Sequence, residues 1–297
     1  MIKKLFLFLV FCLFIPIWAD GAILYLEPLE GEFQIDDTFI VEIKIDTEKE
    51  CINAVEVELK FSPEVLKAID FSQGSSILTL WPKAPEINQV SGLVSFAGGI
   101  PGGYCGEIPG DPGPSHLLGK IIFQVFSDGF VEVLFQDDSQ VLLNDGLGTP
   151  AKLKTQGAVF TILSEKIEFP KDEWQEELKK DIIPPEIFEI EIHQDPNIFE
   201  NKYFIIFSTI DKQTGLSYFE VKEGERDWQQ EESPYLLADQ SLQSIIKVKA
   251  VDKAGNERIA EYIPEVSKKA FFWWIVVVVL ISAIAIIWIW RKYIKKH

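Results

Sequence analysis

The chain has 297 residues, and its 46 acidic side chains outnumber its 28 basic ones, giving a formal net charge of −18 at pH 7. Nucleic-acid binding depends on Lys and Arg to neutralise phosphates, so this balance excludes a protein that binds nucleic acid non-specifically. We therefore predict a partner other than nucleic acid.

The N-terminus is predicted to be a secretory signal peptide. Lys3 and Lys4 precede an apolar run from Leu5 to Trp18, and Ala19 supplies the small residue that a cleavage site requires. We expect residues 1–19 to be removed on export.

Two cysteines, Cys51 and Cys105, remain after the predicted signal peptide. In the oxidising compartment that export implies, an even pair indicates one disulfide bond. Two free thiols are the alternative, because the sequence does not show that the two Cα atoms lie close enough.

Residues 20–163 are predicted to form a β-sandwich. Apolar and charged residues alternate in Phe39–Ile45 and Val55–Phe61, as in half-buried strands. Roughly nine or ten short strands, separated by Gly, Pro, Asn and Asp, are typical of a sandwich or jelly roll. The other predicted strands are Ile23–Leu26, Val65–Phe71, Ile77–Trp81, Leu93–Ala97, Leu118–Phe126, Phe130–Gln136, Val141–Leu143 and Ala158–Leu163.

Several segments of this domain resemble the cohesin family. Ile52–Leu66 resembles a cohesin strand that runs into an aromatic-x-Pro-x-x-Leu turn, and Gly74–Ile77 resembles the small-residue segment that follows it. Ser91–Ala97 and Leu118–Phe123 are similar to later cohesin strands. Cohesins are β-sandwich modules that bind a dockerin partner through one sheet face, and they share an architecture with a superfamily of carbohydrate-binding modules.

The resemblance implies a protein-binding face on the strand that contains Glu56, Glu58 and Lys60. Period-two alternation puts these three side chains on the side of the strand away from the core. A solvated sheet face without a partner is the alternative. Trp81 and Tyr104 suggest a second function, an aromatic platform for sugar rings, against the alternative that they pack in the core or a loop.

Two loops stand out in this domain. Gly98–Pro114 is predicted to be a long surface loop, because its prolines cannot donate to a strand ladder, and a disulfide at Cys105 would pin it. In Asn144–Thr149, the oxygens of Asn144 and Asp145 are weak candidates for Ca²⁺ ligands. A plain turn is the alternative, and we predict no other cofactor.

Residues 164–185 are predicted to link two domains. Pro170 and Pro184 flank a charged segment in which Trp174 and Leu178 are one helical turn apart. This spacing indicates a short helix packed on a neighbouring domain.

Residues 186–266 are predicted to form a second sandwich of the immunoglobulin-like type, with roughly six or seven short strands. Asp211–Tyr218 and Val248–Asn256 resemble bacterial immunoglobulin-like or fibronectin-like repeats, which implies a spacer role. Asp252 and Asn256 suggest a contact with a cation, against the alternative of a hairpin turn.

Residues 271–290, from Phe271 to Trp290, form a run of twenty residues without a charge. A helix of this length is about 30 Å long, enough to cross the hydrocarbon core of a bilayer. Four basic residues follow it in the tail, residues 291–297, which places the tail in the cytoplasm and both domains outside the cell.

These features predict an all-β protein with two tandem β-sandwich domains, a cohesin-like jelly roll and then an immunoglobulin-like domain. A signal peptide precedes them and one transmembrane helix follows. The chain contains no sequence motif of a zinc peptidase, a serine hydrolase or a phosphate-binding loop, so we predict no enzyme. We expect a single-pass cell-membrane protein that docks a dockerin-type partner. Attachment to polysaccharide and a purely structural stalk are the alternatives.

Overall fold

The computed structural model describes residues 21–106, 116–165, 168–264, 274–284 and 286. The predicted signal peptide and cytoplasmic tail lie outside the described residues. The chain divides into two compact units, Met1–Lys180 and Asp181–His297, and each contains its own hydrophobic core. The boundary between them falls inside the segment predicted to be a linker, residues 164–185.

Within the described residues, the first unit contains twelve strands and one helix. The strands are β1 (Ala22–Glu27), β2 (Glu30–Gln34), β3 (Thr38–Asp46), β4 (Ile52–Lys60), β5 (Leu66–Ser72), β6 (Leu80–Asn88), β7 (Leu93–Tyr104), β8 (Leu117–Val125), β9 (Gly129–Phe135), β10 (Gln140–Leu143), β11 (Leu153–Gln156) and β12 (Ala158–Leu163). The helix, α1, spans Glu173–Lys180.

The twelve strands form two sheets that share one core. A five-stranded sheet has the order β11-β1-β3-β8-β5, and a seven-stranded sheet has the order β2-β12-β9-β4-β7-β6, with β10 also paired to β4. Val55, Val57 and Leu59 show why β4 is stable at the centre of its sheet, since their side chains alternate with charged ones and are buried in the core. The predicted β-sandwich is confirmed.

Strand β7 corrects one prediction. The proposed surface loop, Gly98–Pro114, is wrong for residues 98–104, which continue β7 against β4. Pro101 lies between the paired positions Gly99 and Tyr104, where the register shifts, so its missing N–H removes no ladder bond at a paired position. Residues 107–115 lie outside the described residues.

Strand β6 lies at the edge of the seven-stranded sheet and begins later than predicted. Ile77 is not in a strand, whereas Pro82 and Pro85 are. An edge strand tolerates proline because one of its sides has no partner, and both prolines fall at register shifts against β7. Because proline usually argues against a strand, the part of β6 after Trp81 was not predicted from the sequence.

Helix α1 packs on the outer face of the five-stranded sheet. Trp174 is buried against Ile40 on β3 and Ile122 on β8, forming a small cluster apart from the main core. The ammonium group of Lys120 donates to a carboxylate oxygen of Glu177 at 2.8 Å. The predicted linker, as far as Lys180, is thus part of the first unit.

Replacing Trp174 by Ala is expected to lower the free energy of unfolding of the first unit by about 3 kcal/mol, because a buried aromatic ring leaves a cavity. Chemical denaturation followed by circular dichroism would measure the change. The matched control is Phe169→Ala, since Phe169 is 82% exposed and should have little effect. Equal losses in the two variants would contradict the packing of α1.

The second unit contains two antiparallel sheets within the described residues. Its strands are β13 (Glu191–Asp195), β14 (Ile198–Ile206), β15 (Leu216–Glu223), β16 (Gln229–Gln230), β17 (Tyr235–Leu236), β18 (Ile246–Asp252) and β19 (Glu257–Tyr262). Their orders are β13-β14-β17 and β16-β15-β18-β19. A core around Ile205, Val221 and Val248 holds the unit together. Its assignment as an immunoglobulin-like spacer stays a prediction.

Residues 274–284, within the predicted membrane span, are helical. In the part of the chain that the structure describes, no helix is both long enough and apolar enough to cross a membrane. The other residues of the predicted span, apart from residue 286, lie outside that part.

Candidate functional site

The predicted docking residues lie on the outer face of the seven-stranded sheet. Glu56, Glu58 and Lys60 point away from the core, because they alternate along β4 with the buried residues Val57 and Leu59. Glu56 and Glu58 are half-buried by their neighbours, and Lys60 is exposed. The fold therefore places all three residues on the outer face of the sheet, where the alternation predicted them.

Hydrogen bonds orient this row of side chains. The carboxylate of Glu56 accepts a hydrogen bond from the side-chain amide of Gln140 on β10 at 2.8 Å. The hydroxyl of Ser139 bonds the backbone of Glu58 rather than its carboxylate. The ammonium group of Lys60 donates to the carbonyl oxygen of Ser91. Within the described residues, neither Glu56 nor Glu58 forms an ion pair, so both negative charges are available to a partner.

The neighbouring strand makes these carboxylates accessible. On β7, Ala97 lies opposite Glu56, and Ser95 lies opposite Glu58. Both are small, so the two glutamate side chains project beyond the surface beside them. A docked protein would meet the two carboxylates before it met β7.

The aromatic platform predicted from Trp81 and Tyr104 does not form. Tyr104 is 1% exposed, and its hydroxyl lies 2.9 Å from Nδ1 of His116. Trp81 packs beside Phe71 and Phe96, at ring-centroid distances of 6.2 and 5.6 Å. A sugar ring needs an exposed aromatic face, so burial removes Tyr104 from this role.

The predicted disulfide bond between Cys51 and Cys105 is confirmed, with the two Cα atoms 4.2 Å apart. It joins the segment just before β4 to the segment just after β7. These strands pair along the outer sheet face that carries Glu56 and Glu58, so the disulfide holds one end of that face together.

The side chains of Asn144 and Asp145 form hydrogen bonds with nearby backbone groups. The side-chain amide of Asn144 donates to the carbonyl of Gly102 at 3.1 Å, and a carboxylate oxygen of Asp145 accepts from the backbone N–H of Leu147 at 2.8 Å. A hydrogen bond from Thr149 lowers the pKa of Asp145 below its usual value. These contacts are typical of a turn, and a Ca²⁺ site here stays a prediction.

The second unit contains a cluster of three buried aspartates that the sequence did not suggest as a group. Asp181, Asp211 and Asp252 each contribute a carboxylate oxygen, and these oxygens all lie within 4.8 Å of one another. Carboxylate oxygens are the ligands that Ca²⁺ prefers, so these three residues are able to hold a hard cation. Asp211 and Asp252 lie in the two segments that resemble immunoglobulin-like repeats, whereas Asp181 lies in the predicted linker.

Hydrogen bonds satisfy part of this cluster. One oxygen of Asp211 accepts from the backbone N–H groups of Gln213, Thr214 and Gly215 at 2.9 to 3.0 Å. Burial nevertheless raises the pKa of Asp211 above its usual value, and the charges of the two neighbouring aspartates raise it further. The three carboxylates therefore repel one another whenever all three are ionised and no cation is bound between them.

Asn256 orders the turn between β18 and β19. Its backbone N–H donates to one oxygen of Asp252 at 2.8 Å, and its side-chain amide donates to the other oxygen at 2.9 Å. The hairpin turn predicted at this position is therefore present. Asp252 also contributes to the aspartate cluster.

By its fold, the first unit is a β-sandwich module with charged side chains on one outer sheet face. No protein-family model and no curated protein matches the chain. Solved structures of cohesins match about half of the chain.

The seventh ScaB type I cohesin from Pseudobacteroides cellulosolvens is 14% identical with a TM-score of 0.38, over 50% of this chain and 96% of that chain. The OlpC cohesin from Clostridium thermocellum, solved with a dockerin, is 12% identical with a TM-score of 0.38, over 48% and 94%. The cohesin module of a family 33 glycoside hydrolase from Clostridium perfringens is 11% identical with a TM-score of 0.37, over 49% and 98%.

Proposed function

We propose that this protein is a membrane-anchored cell-surface receptor whose first unit docks a protein partner of the dockerin type. The docking surface is the outer face of the seven-stranded sheet around Glu56, Glu58 and Lys60. One observation carries this proposal: the carboxylates of Glu56 and Glu58 project from a central strand, and neither forms an ion pair within the described residues.

The position of the two carboxylates favours protein docking. Exposed charges contribute little to the stability of the free protein, whereas complementary charges on a partner would raise the association rate and select the correct partner. Helix α1 packs on the opposite sheet of this unit, so it leaves this face open. The resemblance of Ile52–Leu66 to a cohesin strand supports the same face.

Stacking on sugar rings has less support. Tyr104 is buried, and Trp81 packs beside two core phenylalanines, so the two aromatic rings do not form a shared platform. Carbohydrate modules of this kind depend on exposed aromatic faces. A protein partner is therefore the better proposal.

The proposed cell-surface location depends on the two apolar ends of the chain. The signal peptide in residues 1–19 would direct export, and the span at residues 271–290 would anchor the product with both units outside the cell. The helical conformation of residues 274–284 is the one that a span requires. The second unit would then serve as a spacer between the membrane and the docking unit.

Changing Glu56 and Glu58 to Lys together is expected to weaken partner binding by roughly 30-fold or more, because the partner would lose two attractive charges and meet two repulsive ones. The full chain, held in mild detergent by a tag after His297, would be incubated with proteins secreted by its own organism and with a panel of polysaccharides. We expect the unmodified chain to retain a protein that carries paired calcium-loop motifs, and a chelator to release it.

The matched control reverses Glu189 and Glu191, a second pair of glutamates two residues apart, which are exposed and lie in the second unit. This control should retain the partner at the level of the unmodified chain. Retention of polysaccharide alone would overturn the proposal in favour of carbohydrate binding. Retention of neither would favour a structural stalk.

A further inference from the structure

The docking face continues beyond β4 into an exposed apolar strip on β9 and β12. The strip consists of Phe130 and Leu134 on β9 and of Val159 and Leu163 on β12. Phe130 is 67% exposed, Leu134 is 43% exposed and Leu163 is 38% exposed. Val159 faces the same side, because it pairs with the outward-facing residue Glu132. Large apolar side chains gathered on one sheet face are typical of an interaction surface.

Acidic side chains line one side of the apolar strip. On β2, Glu30 pairs with Val159 and Glu32 pairs with Thr161, so both glutamates lie beside β12 on the outer face. Glu56 and Glu58 lie on β4 beyond the end of the strip, because β9 meets β4 at Leu59 and Lys60, whereas Glu56 pairs with Gln140 on β10. Within the described residues, Glu30 and Glu32 form no ion pair. The β2 side of the strip is therefore negatively charged and unneutralised.

The strip itself contains a further negative charge and little positive charge. Glu132 lies on β9 between Phe130 and Leu134, and its side chain is exposed. Lys60 pairs with Leu134 at one end of the strip, where its ammonium group donates to the carbonyl of Ser91, but Glu30, Glu32 and Glu132 outnumber this positive charge. A surface with this pattern repels anionic lipid headgroups, so it does not fit a membrane surface.

We propose that the apolar strip is the centre of the docking surface and that it receives a protein surface whose apolar centre is bordered by Lys and Arg opposite Glu30, Glu32 and Glu132. This inference rests on the proposed function, and it specifies the chemistry of the partner at the same sheet face. The apolar contacts would supply most of the binding free energy, and the complementary charges would orient the two surfaces.

The test uses the full chain in mild detergent and a defined probe. The probe is a phage-displayed helical domain with a randomised surface, selected for binding to the unmodified chain. We expect the selected surfaces to combine aromatic or leucine side chains with Lys and Arg. Their affinity should fall by at least about 10-fold for a chain with Phe130→Thr and Leu134→Thr, because both anchors are lost. The affinity should also fall as salt is raised.

Threonine suits the test because both positions are exposed and threonine favours strands, so the variant should fold. The matched control is Leu80→Thr, since Leu80 is a leucine on β6 that is 56% exposed and lies outside the strip. This control should bind the selected surfaces as the unmodified chain does. Selected surfaces that are neutral or acidic, or that bind the strip variant equally well, would overturn the inference.

The inference and the proposed function can fail separately. If reversal of Glu56 and Glu58 abolishes retention of the native partner while the strip variant retains it fully, the inference fails and the proposed function stands. If no secreted protein is retained but the selected basic surfaces require Phe130 and Leu134, the proposed function fails and the chemistry inferred for the strip stands.

Discussion

Replacing Asp211 by Asn is expected to raise the Tm of the second unit by about 5 °C or more in the presence of a chelator. The side-chain oxygen of Asn can still accept the three backbone hydrogen bonds that Asp211 accepts. The change removes one of three negative charges whose oxygens lie within 4.8 Å of one another. Differential scanning calorimetry of the full chain would measure the shift.

Calcium should reverse the order of the two Tm values, so that the unmodified chain has a higher Tm than Asp211→Asn. A cation between the three carboxylates would offset their repulsion, so Ca²⁺ should raise the Tm of the unmodified chain and have a smaller effect on Asp211→Asn. Asp227→Asn is the control, because Asp227 is exposed and loses the same charge. A lower Tm for Asp211→Asn in chelator, with no response to Ca²⁺ in either protein, would mean that hydrogen bonds alone hold the cluster.

The same cluster predicts a pH dependence. The pKa of Asp211 is raised above its usual value of 3.8, mainly by burial. A carboxyl group with a raised pKa stabilises the folded state most when it is protonated, and this contribution is lost as the pH rises through the folded pKa. In chelator, we therefore expect this contribution of Asp211 to the Tm of the second unit to be lost as the pH rises from acidic to neutral values. The Tm of the unmodified chain should therefore decrease relative to that of Asp211→Asn over this pH range, which calorimetry at several pH values would measure.

Removing the disulfide bond with Cys51→Ser and Cys105→Ser is expected to lower the free energy of unfolding of the first unit by about 4 kcal/mol. The bond closes a loop with a sequence separation of 54 residues, and that closure limits the freedom of the unfolded chain. Chemical denaturation would measure the loss. The pairing of Ile52 with Tyr104 should also exchange its amide hydrogens faster, because the disulfide lies beside that pair.

Reduction of the unmodified chain supplies the control for this prediction. Reduced protein should match the double variant, because both lack the same cross-link and keep the same core. An unchanged denaturation midpoint in the double variant would mean that the pairing of β4 with β7 stabilises this end of the sheet without the disulfide.

Much of the first unit could be predicted because period-two alternation links a sequence directly to a buried and an exposed face. The strands predicted at Phe39–Ile45 and Val55–Phe61 fall within or beside β3 and β4. The same alternation identified the outward positions of Glu56 and Glu58. Strands β2 and β11 were missed, because short strands at sheet edges show too few alternating residues.

The prolines and glycines after Ala97 show where local rules were insufficient. Pro101 argued against a strand, but a register shift between β4 and β7 accommodates it. The burial of Tyr104 could not be predicted from the sequence either. An aromatic residue near a loop can form part of an exposed sugar-binding platform or pack in the core. The pairing of β7 with β4 determined both the strand conformation around Pro101 and the burial of Tyr104.

By itself, the sequence determined the β-rich class of the protein, the cysteine pair and the outer face of β4, because these depend on composition and on neighbours two residues apart. Only the tertiary structure decided which distant residues meet. The apolar strip exists because β12 pairs with β9, and the aspartate cluster exists because Asp181, Asp211 and Asp252 converge in the second unit. Their separation along the chain leaves no periodic signal, since strand order and turn positions, rather than local spacing, bring them together.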